Sequence, residues 1–363
     1  EILPEDDADI IAKGTVSELP VTAVMRKTEF LSDFLPSTYV YDKSDRISRF
    51  LAPAILVAGI IVGLIAYFYV VPGQNMDYRL YWAVSAGNFV VAAMSPLSIM
   101  LLISLLFMRS SKELSKSSAA LLGYEAAEEF AEVNTVAIDA ASLFPAGFVK
   151  FKSMKRCQRE GSLQDVVIDE AIILATSLAT SSGSVLSPMF YDMVGGKSHL
   201  LRKVSGVVCE DGLGVTGWVG SRRIMLGSRE HMKSHQIELP DIKKEQKYSG
   251  GSDVIYLAVA GEAVAMFFIS LIANPEVKNY LQEMDRRGMT VIVRTNDSLI
   301  TVNKLAELFD LSPEAVRILP QTLDERFKEL TKYTSRGSAA ASCNGNFSGF
   351  ARTILASKAI KEN

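Results

Sequence analysis

The run from Leu51 to Val71, LAPAILVAGIIVGLIAYFYVV, carries no charged residue. At about 1.5 Å per helical residue it reaches ~31 Å, enough to cross the hydrocarbon core of a bilayer. Tyr67 and Tyr69 stand near one end, where interfacial aromatics are common. A second uncharged run, Leu80 to Met108, is too long for one straight span and is divided by Pro96. Proline removes a backbone donor and crowds the preceding turn, so carbonyls near Val91 to Met94 lose partners. Freed carbonyls at membrane depth are where transporters build cation sites. Ser95 and Leu97 flank this proline; neither is a soft metal ligand, and no Asp or Glu lies between Leu80 and Met108. Two readings stay open here: an ion path past Ser95 and Pro96, or a proline kink without an ion.

Basic residues collect outside the two runs, Lys43, Arg46 and Arg49 before and Arg109, Lys112 and Lys116 after. The turn between them, Pro72-Gly73-Gln74-Asn75, is followed only by Asp77 and Arg79. The bias of Lys and Arg toward the cytoplasmic side then predicts a membrane hairpin over residues 50–108 with both ends in the cytoplasm. Length leaves room for two or three domains, and the 48% hydrophobic share and mean hydropathy of +0.19 suit a chain partly in lipid. A net charge of −3 gives no electrostatic footprint for nucleic acid. Cys157, Cys209 and Cys343 are an odd, widely spaced set without paired-ligand spacing, so neither a disulfide framework nor a zinc motif is expected. The first residue is Glu and no signal-peptide pattern opens the chain, as expected for a fragment of a longer protein. Residues 1–49, acidic at Glu5, Asp6, Asp7 and Asp9, read as a solvated cytoplasmic arm.

After a helical stalk over residues 109–132 comes Val133 to Gly147, VNTVAIDAASLFPAG. Its apolar run Val136 to Ile138 leads into Asp139 and then into small residues. A buried strand ending in aspartate is how an open α/β sheet offers a carboxylate to a ligand beyond its strand ends. Such a carboxylate can attack phosphate and form an aspartyl-phosphate, or it can be an ordinary strand-ending residue.

The second half alternates in a doubly wound pattern. Pro275 to Arg287 reads as a helix ended by Gly288, Thr290 to Val293 as a strand, and Leu299 to Phe309 as a helix. Arg317 to Leu319, Thr322 to Lys332 and Ser338 to Ser342 read as strand, helix and last strand. Such alternation predicts a parallel sheet with helices on both faces. Between the halves, residues 150–261 form an insertion with helical spacing through Leu163 to Leu178. Glycine-bounded β-prone stretches follow at Val215 to Val219, Arg223 to Leu226, Val254 to Val259 and Ala263 to Ile269. They predict an α+β module with a mostly antiparallel sheet. Gly195-Gly196-Lys197-Ser198 imitates a phosphate loop, but Tyr191 stands where that motif needs glycine, leaving a surface turn.

The approach Tyr124-Glu125-Ala126-Ala127-Glu128-Glu129-Phe130 followed by VNTVAID resembles the phosphorylation site of P-type cation-transporting ATPases, and the heavy-metal branch in particular. The resemblance runs from about Asp45 to Ile360 and rests on the order of landmarks. It implies a haloacid-dehalogenase-like parallel sheet over residues 109–149 and 262–363, interrupted by a nucleotide-binding-type domain at 150–261. It also implies a membrane helix with the AAMSPLSIMLL proline, placing a transport path at Ser95 and Pro96. Gly212-Leu213-Gly214-Val215 and the following GSRRIMLGSREHM resemble that branch's nucleotide loop and hairpin, which makes Gly212 and Gly214 the candidate ATP contacts.

Departures from the family pattern are as informative. The family's D-K-T-G-T-L-T is Asp139, Ala140, Ala141, Ser142, Leu143, Phe144 and Pro145. Its T-G-D is Thr295-Asn296-Asp297, so Asp139, Thr295 and Asp297 are the catalytic-type positions. Its G-D-G-x-N-D aligns with Cys343, Asn344, Gly345, Asn346, Phe347 and Ser348, leaving Asp139 and Asn344 as the magnesium positions. The lysine expected after Arg317-Ile318-Leu319-Pro320 is missing, with Arg326 and Lys328 as substitutes. Ser187-Pro188 replaces the His-Pro pair that helps bind adenine, and no T-G-E actuator signature is present; residues 1–49 stand where an actuator remnant would end. Magnesium is usually held by carboxylates, and phosphoryl transfer depends on positioned cations. These losses predict a degenerate pump that binds ATP weakly, holds Mg2+ poorly and turns over little, in a regulatory role. Two alternatives remain, a working pump through an Asp139 phosphoenzyme and a membrane-anchored phosphatase-like hydrolase. The hydrolase normally needs a second aspartate at the position of Ala141.

Overall fold

The computed structural model describes residues 2–3, 22–24, 43–70, 75–94, 97–121, 123–157, 166–330 and 341–362. Two compact units emerge: Glu1–Arg26, Val133–Arg336 and Asn346–Ala351 form the first, and Lys27–Glu132, Gly337–Gly345 and Arg352–Asn363 the second.

The first unit holds two sheets. One has five strands in the order Ile2–Leu3, Thr22–Val24, Thr135–Asp139, Thr290–Arg294 and Val316–Ile318. The last four run parallel and Ile2–Leu3 runs antiparallel to its neighbour. TVAID and TVIVR are runs rich in β-branched residues, the pattern of strands covered on both faces, and only their final residues escape burial. The Pro275–Arg286 helix begins at Asn274, whose side chain accepts the Glu276 N–H, and buries Val277, Leu281 and Met284 at helical spacing. Gly288, at φ +68°, takes the left-handed turn that ends it.

The second sheet is wholly antiparallel, in the order Val149–Arg156, Glu262–Leu271, Asp253–Val259, Arg222–Gly227, Gly214–Val219 and Ser205–Glu210. Met225, Met232, Tyr256, Met266 and Phe268 fill a core on it. Phe190, from the Ser187–Met193 helix, stacks edge-on against Phe267 with centroids 5.0 Å apart. The antiparallel α+β module expected from the glycine-bounded stretches is thus present. Its sheet spans Val149 to Leu271, because Val149–Arg156 joins as an edge strand. Lys150, Lys152 and Lys155 give that edge the charge that discourages further pairing.

Two expectations change. The solvated arm supplies Ile2–Leu3 and Thr22–Val24 to the parallel sheet, with Thr22–Val24 taking the edge beside Thr135–Asp139. The expected last parallel strand is instead Ala341–Cys343, which pairs antiparallel with Ala119–Leu121 in the second unit.

That unit also contains the uncharged runs. Lys43–Ile65 is a helix that loosens into a π-helical turn at Ala66–Val70, and Met76–Ala93 and Leu97–Ser115 are further helices. Ile55, Gly59, Gly63 and Ala66 make the buried stripe of the first helix, while Leu56, Val57, Ile60, Ile61 and Leu64 stay exposed. A Cβ on Gly59 would sit 2.8 Å from Val91 and 3.1 Å from the Gly87 carbonyl, so the two helices meet backbone to backbone. Among the described residues one helix, Arg49–Tyr69, is long and apolar enough to cross a membrane. The two spans expected over residues 50–108 therefore reduce to one candidate span: the second run divides between two helices that also carry charge, Asp77 and Arg79 on one and Arg109, Lys112 and Glu113 on the other. Ser95, Pro96 and Gln74 lie outside the described residues. Arg352 donates to Glu113 and Ser117, and Lys358 to the Ala131 carbonyl, tying the C-terminal helix into this unit.

Candidate functional site

Asp139 is the last residue of its strand and the cap position of the short Ala140–Leu143 helix, but its side chain makes no capping hydrogen bond. Its side chain is 56% exposed at the carboxyl end of the sheet. The parallel register sets Arg294 directly beside it. Arg294 Nε donates to Asp139 Oδ1 at 2.6 Å, and its Nη1 lies 3.6 Å from Asp324 Oδ1. The guanidinium also lies over the Phe327 ring, 5.7 Å from its centroid. The cation at this edge therefore comes from the neighbouring strand. Arg326, an expected substitute, is exposed; the side chain of Lys328 lies outside the described residues.

Thr295, Asn296 and Asp297 follow Arg294 but turn to a different task. The Thr295 hydroxyl accepts the Asp297 N–H at 3.1 Å, a local turn bond. Asn296 Nδ2 donates to the Ser182 carbonyl at 3.0 Å. Asp297 is 7% exposed; its carboxylate accepts from the Ser184 hydroxyl and, at 2.8 Å, from the Val185 N–H. These bonds clamp the turn after the Ile168–Ser182 helix, where Gly183 sits at φ +68°. Burial pushes the Asp297 carboxyl above the usual aspartate range, against the pull of its donors. Asn344 belongs to the second unit and is exposed.

The resemblance implies magnesium and ATP. The donor set around Asp139 does not suit a magnesium–phosphate group, since one guanidinium engages Asp139 and lies beside Asp324. A cleft of about 410 Å3 opens between the loop after Asp139 and the insertion, walled in part by Phe144, Gly147, Lys150, Phe151, Pro188 and Asp192. Its size suits a small molecule, and Pro188 of the expected adenine pair is on its wall. Gly212 and Gly214 are not. Gly212, at φ +65°, has open space where a Cβ would be. Gly214 packs so tightly that a Cβ would come 2.5 Å from both Gly227 and His231. The Gly195–Gly196 pair forms a turn after the Ser187–Met193 helix, with both residues at positive φ, as expected for a surface turn.

Arg294 was not among the residues singled out by sequence. The available signal was its place at the end of a strand predicted to lie parallel to the Asp139 strand, where register aligns terminal residues. The cluster of Glu210, His231 and His235 also went unnoticed, because one member comes from a strand and two from a six-residue helix and its cap.

No protein-family model matches the chain. It is 23% identical over 312 residues to a copper-exporting P-type ATPase of Legionella pneumophila, a match covering 85% of this chain and 41% of that protein. It is 20% identical over 297 residues to copper-transporting ATPase 2 of Rhizobium meliloti, covering 79% of this chain and 34% of that one. The chain thus spans less than half the length of these relatives. Among solved structures, a zinc-transporting PIB-type ATPase matches at 13% identity and TM-score 0.42, over 96% of this chain and 62% of that one. With the strand-ending Asp139 and the order of the landmarks that follow, the similarity to these copper ATPases supports a kinship with the heavy-metal branch of the P-type ATPases.

Proposed function

We propose that this chain is a degenerate heavy-metal P-type ATPase, membrane-anchored, which binds adenine nucleotide weakly and serves a regulatory role with little or no transport. The observation that carries this reading is the ion pair between Asp139 and Arg294 at 2.6 Å. A nucleophilic carboxylate needs a free lone pair and a metal-bound phosphate in line with it. Here a guanidinium occupies Oδ1 of the carboxylate, Ala140 offers no charge beside it, and Leu143 no hydroxyl. Loss of one preorganised donor costs about 100- to 1,000-fold in rate, and losses within one machinery combine non-additively. Thr295 and Asp297 also spend their hydrogen bonds on structure, which fits a scaffold kept after its chemistry has lapsed.

A working pump is the second reading, favoured by one feature: Asp139 remains exposed at the carboxyl end of the sheet with a cation beside it. Phosphorylation of the purified chain by labelled ATP, with and without magnesium, separates the two. The degenerate reading expects no phosphoprotein from the unmodified chain. An acid-stable, hydroxylamine-sensitive phosphoprotein that disappears in Asp139→Asn establishes the working pump instead.

A further inference from the structure

Behind the Gly212–Gly214 loop lies a group of side chains that the resemblance to the pumps does not use. Glu210 ends the Ser205–Glu210 strand; His231 sits on the Arg229–Ser234 helix and His235 caps it. The i, i+4 spacing puts both imidazoles on one helix face, with ring centroids 5.2 Å apart. Ser228 fixes the helix start by accepting the His231 N–H, and the strand register sets Glu210 opposite Gly214 and Gly214 opposite Gly227. A Cβ on Gly214 or Gly227 would stand 2.5 or 2.4 Å from His231 Nδ1, so the two glycines form the slot that holds this ring.

His231 is fully buried, and neither of its ring nitrogens has a hydrogen-bond partner. Folded proteins rarely leave a buried polar side chain so. Its Nε2 points toward Glu210, 3.5 Å from Oε1, while His235 Nε2 lies 2.7 Å from the same oxygen. All three ligand atoms fall within 4.8 Å of one another. Tetrahedral zinc, with bonds of about 2.1 Å, needs its ligand atoms ~3.4 Å apart. The His231–Glu210 separation already matches; His235, on a half-buried side chain, needs to withdraw from Glu210 by less than an ångström and to come from within 4.8 Å to ~3.4 Å of His231.

We propose that Glu210, His231 and His235 bind a divalent transition-metal ion of the zinc class, with the fourth position open to water. Two imidazoles and one carboxylate are a known three-ligand zinc set, whereas magnesium and calcium favour oxygen. Arg223 Nη2 now lies 3.2 Å from His235 Nδ1, so that nitrogen is the acceptor and Nε2 holds the proton shared with Glu210. A metal on Nε2 selects the other tautomer, with the proton on Nδ1, and Arg223 withdraws. The inference stands apart from the pump reading, since no group near Asp139 takes part.

Cobalt(II) is the probe, because its visible absorption reports low coordination number. Full-length protein in detergent, stripped with chelator, is titrated with Co2+ and then with Zn2+. One equivalent of cobalt is expected to give an intense visible band that zinc abolishes. His231 lies in the core, so the more exposed His235→Ala and Glu210→Gln carry the test, with circular dichroism showing each to be folded. Each should weaken binding at least about tenfold, a loss already usual for groups one step removed from a metal. Combined replacement of Cys157, Cys209 and Cys343 by serine should leave the band intact. Absence of the band, its persistence unchanged in the two variants, or its loss with the cysteines overturns the proposal and leaves a hydrogen-bonded cluster without a metal.

Discussion

Two carboxylates near one sheet edge take opposite roles because their surroundings differ. Asp139 is exposed and paired with Arg294, an arrangement worth at most about 1 kcal/mol of stability in water. Arg294→Ala is therefore expected to leave stability almost unchanged. Asp297 is buried, and Asp297→Ala strands the Ser184 hydroxyl and the Val185 N–H, at a cost of about 1–3 kcal/mol. The pH dependence of that cost has a defined sign. Burial raises the Asp297 carboxyl, so the folded chain holds its proton more tightly than the unfolded chain. The stability it contributes is full below the unfolded pKa and is lost as pH rises through the folded value. Hydrogen exchange across residues 182–186 should show the largest gap between the unmodified chain and Asp297→Ala in acid, narrowing above the ordinary aspartate range. A gap that widens with pH would mean that the donors to the ionised carboxylate outweigh burial. Cys157 offers a simpler check. Burial pushes its thiol up to about 12, and only a thiolate reacts quickly. Alkylation of Cys157 near pH 7 should be slow in the folded protein and speed up on unfolding; equal rates would contradict the partial burial of this half-buried thiol.

Elements were legible in the sequence wherever a run was long enough to show a period. Thr135–Asp139, Thr290–Arg294 and the hairpin strands of the insertion carry continuous apolar or glycine-bounded runs, and they form as read. Ile2–Leu3 and Thr22–Val24 are two and three residues long, too short for any alternation, and only pairing reveals them. Val149–Arg156 reads as polar because an edge strand needs its lysines. Ala341–Cys343 has the small-residue look of a strand, but nothing in it states a partner, and it pairs with Ala119–Leu121. Arg294 escaped notice for a similar reason: its meaning lies in the register beside Asp139. In the helices, glycines at 59, 63 and 87 looked like ordinary apolar-run residues, yet they let the Lys43–Ile65 and Met76–Ala93 helices meet backbone to backbone. A Cβ on Gly63 would meet the Ala83 carbonyl at 2.9 Å, and one on Gly87 the Gly59 carbonyl at 2.9 Å. Small residues let membrane helices pack through their backbones. Gly59→Leu or Gly87→Leu should then overpack the pair and cost about 1–3 kcal/mol, read as a lower unfolding temperature in detergent. Unchanged unfolding would show that these helices do not pack this closely.

At the scale of the whole molecule, the question is which parts face lipid. Arg49–Tyr69 exposes Leu56, Val57, Ile60, Ile61 and Leu64 while burying a narrow glycine-containing stripe. In water such a surface is a liability; in a bilayer it is the ordinary outer face of a span. Met76–Ala93 packs on that stripe, and its 18 residues reach ~27 Å at about 1.5 Å each. Asp77 and Arg79 sit in its first turns, and no charge follows until Arg109. Lys43, Arg46 and Arg49 lie at the first end of the Lys43–Ile65 helix, whereas Arg109 and Lys112 belong to the separate Leu97–Ser115 helix. For the one candidate span, Arg49–Tyr69, that first basic cluster predicts a cytoplasmic first end, with Gln74 beyond the opposite end. The protein should remain with membranes through alkaline carbonate extraction. In intact cells, a cysteine placed at Gln74, with the native cysteines replaced by serine, should react with a membrane-impermeant maleimide. Reaction at Gln74 only after the cells are opened would reverse the topology, and release of the chain by carbonate would remove the membrane anchor altogether.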